Sequence, residues 1–134
     1  MTTADERIAS KLNVAISSDV LYIDRVRTAD NKPVIYVEDH ISYIDGMYAR
    51  FNESKNESLF DFLKSYDISI SFSSCNIKAI ISDSNLEQKL SLKEPKALLY
   101  FQQTHYTTSG IPIMYSDSYF ISDKFEFNLI RKII

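Results

Sequence analysis

The 134-residue chain is 45% hydrophobic and 13% aromatic, enough for one domain around one core, and its formal net charge is -3. That balance argues against a phosphate-neutralising basic face, so this chain by itself is not expected to grip DNA. A single cysteine, Cys75, excludes an internal disulfide framework and a cysteine-based zinc site, and no stretch approaches the roughly 18 consecutive apolar residues of a membrane span. With an N-terminus that lacks the order of a signal peptide, the reading is a soluble, cytoplasmic protein.

Only 2 Gly and 3 Pro occur, which predicts long elements joined by short loops. Asp5 stands at an N-cap position and Ile8 and Leu12 follow at helical spacing, so a short helix with one buried stripe is expected. Val20 and Tyr22 then alternate with Leu21 and Ile23, and after a turn Val34 and Tyr36 alternate with Ile35 and Val37. Apolar residues on both sides of these strands predict a sheet covered on both faces. The mixed stretch "IDGMYARFNESKNE" reads as a loop or a short helix. Leu59, Phe62, Leu63 and Tyr66 then mark a helix, and Ile68, Ile70 and Phe72 a strand in which Cys75 is expected to be a buried, inert thiol. Asp83, Leu86 and Leu90 repeat the first helix, and "ALLYFQQTHYTTSGIPIMYSDSYF" reads as a hairpin. A last run, with Phe125, Phe127 and Leu129 alternating, is expected to close the sheet. The sum is one α+β domain over residues 1–134, with about six strands in antiparallel hairpins and three or four helices.

The second hairpin has a counterpart near the N-terminus. Asp5 aligns with Asp83, Ile8 with Leu86, Leu12 with Leu90, Tyr36 with Tyr115 and Glu38 with Asp117, with one extra residue in the second loop. Two copies of helix, strand, turn and strand predict a pseudo-two-fold domain; chance likeness between amphipathic units is the alternative.

Arg25 and Arg27 share one face of the first strand, after apolar Leu21 and Ile23. Two guanidiniums there invite a carboxylate or a phosphate between them; an ion pair with Asp24 or Glu38 is the plainer reading. Their second-copy equivalents are Gln103 and His105. Ser58 precedes a helix with Asp61 three residues on, a capping-box pattern that also marks a helix start able to face an anion. Nucleophile-elbow, metal-ligand and phosphate-loop motifs are absent, since Gly occurs only at positions 46 and 110 and His40 and His105 have no ligand spacing.

Taken together, "RVRTADNKPVIYVEDHIS", "ESLFDFL" and "LYFQQTHYTTSGIPIMYSDSYFISDKFEF" closely resemble the UTRA domain, the effector-binding domain of GntR-type bacterial transcription regulators of the HutC branch. The resemblance implies a fold similar to chorismate lyase, no enzymatic activity and no cofactor or metal. It implies a small anionic metabolite as ligand, a phosphosugar or small organic acid, a homodimer, and DNA contact only through an N-terminal winged helix-turn-helix expected ahead of this chain. Position by position, it implies ligand contacts from Arg25, Arg27, Glu38 and Ser58, and from Met114 and Phe120 on the returning strand of the second hairpin. The last two depart from phosphosugar-binding members, where Glu and Tyr are frequent, and make that side of the pocket more apolar. A lyase on the same fold, with Glu38 as its acid or base, is the alternative.

Overall fold

The computed structural model describes residues 1–54 and 58–133. In chain order the elements are β1 (Thr2–Thr3), α1 (Glu6–Leu12), β2 (Asp19–Ala29), β3 (Lys32–Ser42), α2 (Met47–Glu53), α3 (Leu59–Lys64), β4 (Ile70–Ile81), α4 (Ser84–Lys89), β5 (Ala97–Thr107) and β6 (Pro112–Ile121). The strands form one six-stranded antiparallel sheet in the order β1-β2-β3-β6-β5-β4. The α+β expectation holds, and the mixed stretch after β3 forms the short α2; its residues 55–57 lie outside those described.

Local chemistry explains the repeat. The Asp5 carboxylate accepts from the Ile8 backbone N–H at 2.8 Å, and Asp83 accepts from Leu86 at 2.9 Å, so each copy opens with the same cap. Asp30 and Asn31 link β2 to β3 with φ of 50° and 62°, the left-handed pair a two-residue hairpin turn requires and these side chains tolerate. Each hairpin carries a bulge at the equivalent place, after Arg27 in β2 and after His105 in β5. The two copies meet where β3 pairs with β6, and Glu38 faces its sequence equivalent Asp117 across that seam. The pseudo-two-fold axis therefore passes through the middle of the sheet.

The register sorts side chains onto two faces. On the back face α1 buries Ile8, Ala9 and Leu12 against Val20 and Tyr115, while α4 buries Leu86 with Leu90 against Tyr36, Leu98 and Ile121. On the front face α2 and α3 bury Met47, Leu59, Phe62 and Leu63 against Leu21, Ile23, Ile41 and Met114. Each large apolar side chain removed from water there contributes roughly 1.5–3 kcal/mol.

The C-terminal run departs from expectation. Residues 122–133 add no strand to the sheet, and the sixth strand is instead β1, paired with β2. Phe125 and Phe127 lie over the front face, with Phe127 4.6 Å from Phe101 and Phe125 5.2 Å from Phe120, centroid to centroid. Residues two apart in an extended chain point the same way, so the alternation is satisfied by one aromatic ledge without a hydrogen-bonded ladder.

Candidate functional site

The front face holds a cavity of about 350 Å³ where the pseudo-axis crosses it. Its floor comes from all four long strands of the repeat: Arg25 and Arg27 of β2, Val37 and Asp39 of β3, Ser116 and Ser118 of β6, and Gln103 and His105 of β5. These pair off by the repeat, Arg25 with Gln103 and Arg27 with His105. The two copies thus line one cavity with different chemistry. Met114 borders it from β6, and Ser58, Leu59 and Phe60 close it from the start of α3.

Burial of Leu59, Phe62 and Leu63 seats α3 on the sheet and fixes its first turn over the cavity. The Ser58 hydroxyl accepts from the Asp61 backbone N–H at 3.1 Å, so it caps the helix as the plainer reading held. Phe60 stands edge-on to the His105 ring with centroids 5.9 Å apart.

A hydrogen-bonded line runs under the cavity. Arg25 Nη2 donates to Asp39 Oδ2 at 3.0 Å, and the Asp39 side chain is only 3% exposed. The Ser116 hydroxyl donates to the other Asp39 oxygen. Its single proton being spent there, Ser116 must accept from His105 Nε2, 3.2 Å away, and in the neutral ring Nδ1 then accepts from the Ser73 hydroxyl at 2.6 Å. Burial lowers the His105 pKa, with Asp39 pulling the other way, which agrees with this neutral tautomer.

Both arginines keep donors unspent. The Arg25 Nε–H is buried and has no partner among the described residues. Arg27 is exposed and makes no ion pair among the described residues. Elsewhere the buried side-chain atoms without a partner are His40 Nδ1 and Ser42 Oγ, on the back face and away from this cavity.

Two expected contacts fall outside. Glu38 lies on the back face, opposite Asp24 and not Arg25, and accepts from the Tyr22 hydroxyl at 2.6 Å. Strand parity is the reason: 38 and 25 differ in face once the Asp30–Asn31 turn pairs 25 with 37. Phe120 is on the front face but packs into the ledge of Phe101, Phe125 and Phe127 rather than lining the cavity. Arg25, Arg27, Ser58 and Met114 do come together. Asp39, Gln103, His105 and Ser116 were missed as site residues, although parity with Arg25 and the repeat would have found them. Cys75, expected to be buried, is exposed on β4. Among the described residues no group of His, Cys, Asp or Glu is arranged to hold a metal ion.

The back face is also polar at its centre, but its carboxylates are matched. Tyr100 and Tyr115 donate to Asp117 at 2.6 and 2.8 Å, Arg7 reaches the same carboxylate at 3.0 Å, and Tyr36 donates to Asp24 at 3.0 Å. Burial, then the bonded carboxylate, raises the pKa of Tyr22 and Tyr115, and burial pushes Tyr36 up to about 12, so these phenols remain donors. A wider hollow of about 550 Å³ near the β2–β3 turn is lined by Lys32, Lys93, Lys96 and Lys124. Lys96 is paired with Asp123 at 2.9 Å, and the other three are exposed at the surface.

A family model for the UTRA domain matches residues 1–126. No curated protein gave a significant match. Among solved structures, the chain is similar to a GntR-family transcriptional regulator from Bacillus cereus at 25% identity and TM-score 0.82, covering 98% of this chain and 92% of that one. A GntR-family regulator from Enterococcus faecalis V583 aligns at 23% identity and TM-score 0.84, over 96% and 93% of the two chains. The effector domain of PhnF from Mycobacterium smegmatis aligns at 21% identity and TM-score 0.84, over 98% and 81%.

Proposed function

Because this chain belongs to the UTRA domain family, whose fold is chorismate lyase-like, we propose that it senses a small anionic metabolite for a GntR-type regulator of the HutC branch. The observation that carries this is the pair of arginines bordering one cavity, Arg25 with its buried Nε–H unpartnered and Arg27 without an ion pair among the described residues. The Asp39 bond fixes the orientation of the Arg25 guanidinium at the cavity border, and a held, planar cation suits recognition of an oxyanion. Met114, Val37, Leu59 and Phe60 supply apolar walls for the rest of the ligand. Ser58 borders the same space, its hydroxyl proton free to donate.

Ligand would act by favouring one of two arrangements of a dimer and so the spacing of DNA-binding modules placed before this domain, in the cytoplasm. Support for a homodimer comes from β4. It is an edge strand, its exposed apolar residues include Phe72 at 53%, Ile77 at 55% and Ile81 at 67%, and such edges are normally covered. Ile77→Lys should convert a dimer to a monomer in light scattering after size exclusion, with the fold retained.

The lyase alternative needs Glu38 beside the arginines, and Glu38 is on the other face. A thermal-shift screen with sugar phosphates and small acids tests the sensor: a shift seen in the wild type and lost in Arg25→Ala with Arg27→Ala supports it. Binding that survives both substitutions sinks the clamp.

A further inference from the structure

The cavity's own charges bear on which anion it takes. Its described lining residues include two cations, Arg25 and Arg27, and one carboxylate, Asp39. His105 counts as neutral, since burial lowers its pKa; its Nε2–H is held by Ser116 and its Nδ1 meets the Ser73 hydroxyl. The set therefore carries one net positive charge. We propose that the cavity takes a singly charged carboxylate on a largely apolar body in preference to a doubly charged phosphate monoester; this rests on reading the cavity as the effector site.

Asp39 decides the point. It is buried, and it already occupies one Nη of Arg25 at 3.0 Å, so that cation is half neutralised before a ligand arrives. A carboxylate brings one charge and leaves the cavity neutral. A phosphate dianion leaves a net negative charge in a partly enclosed space, next to a buried carboxylate. The apolar walls and a volume of about 350 Å³, at the small end for ligand sites, suit a compact body with few hydroxyls.

The test uses three pairs of anions that share a body: benzoate with phenyl phosphate, butyrate with butyl phosphate, and glucuronate with glucose 6-phosphate. Each is titrated into isotope-labelled protein at about pH 8, where a phosphate monoester carries close to two charges. The readout is the Arg25 Nε–H resonance, assigned with Arg25→Lys. The carboxylate should bind at least about tenfold tighter than its phosphate partner in the pairs that bind, and Asp39→Asn should abolish or reverse that preference. A wild-type preference for phosphate overturns the charge assignment while the sensor reading stands. Indifference of the preference to Asp39→Asn overturns it too, and a flat Arg25 signal with all six anions overturns both readings. Should Asp39→Asn fail to fold, Arg27→Gln at an exposed position replaces it: with the cavity then uncharged, benzoate should lose its advantage over neutral benzamide. An advantage that remains about tenfold refutes the charge count.

Discussion

The two faces of this sheet carry similar densities of charge at their centres and use them in opposite ways. On the back face Asp117 gathers Arg7, Tyr100 and Tyr115, Glu38 holds Tyr22, and Asp24 holds Tyr36. These donors and acceptors are spent on one another, and the arrangement locks α1 to β6. On the front face the line from Ser73 through His105 and Ser116 to Asp39 is equally closed, but it ends on Arg25 with one buried N–H left over. A cluster of charges thus marks a site only where a donor is left unspent beside a void.

Breaking the back face should cost stability and leave binding alone. Asp117 is 2% exposed and Arg7 about half exposed, so Asp117→Ala mainly strands two phenols and should cost about 2–3 kcal/mol in denaturant unfolding, with anion affinity per folded molecule unchanged. A large loss of affinity at unchanged stability would show that the faces are not separable in this way.

Arg27→Ala should do the reverse. An exposed side chain with no ion pair among the described residues contributes little to folding, yet its loss should weaken binding of an identified anion by about 2 kcal/mol, roughly thirtyfold. Calorimetric titration beside a melting curve checks both halves of that expectation.

Tyr22→Phe removes one matched hydrogen bond to Glu38 and should lower stability by about 1 kcal/mol without a binding effect. The smallest effect concerns pH. Burial lowers the His105 pKa in the folded state, so as pH falls below about 6.5 the unfolded chain takes up the proton first and stability declines until the folded value is passed. In His105→Gln the melting temperature should fall less steeply over that window. An identical slope in both proteins would mean that His105 does not contribute to it.

Much of this was legible beforehand because it is local. Asp5 and Asp83 announced their caps, and the matched spacing of the two copies announced a pseudo-two-fold domain; the structure added the seam on which Glu38 meets Asp117. Even the paired bulges fall at equivalent positions. The C-terminal run misled because alternation of Phe125, Phe127 and Leu129 is the same whether a segment joins a ladder or lies across a face. Only the presence of Phe101 and Phe120 beneath it decides.

By itself the sequence determined most of the elements, the repeat and the shared face of Arg25 and Arg27, since these follow from periods of 3.6 and 2 and from capping and turn chemistry. Tertiary structure decided the rest of the site. It brought Asp39, Gln103, His105 and Ser116 from three strands around one cavity, sent Glu38 to the far face, and left the Arg25 Nε–H buried without a partner among the described residues. The physical reason is that register and hydrogen-bond satisfaction are relations between distant segments. No residue carries them alone.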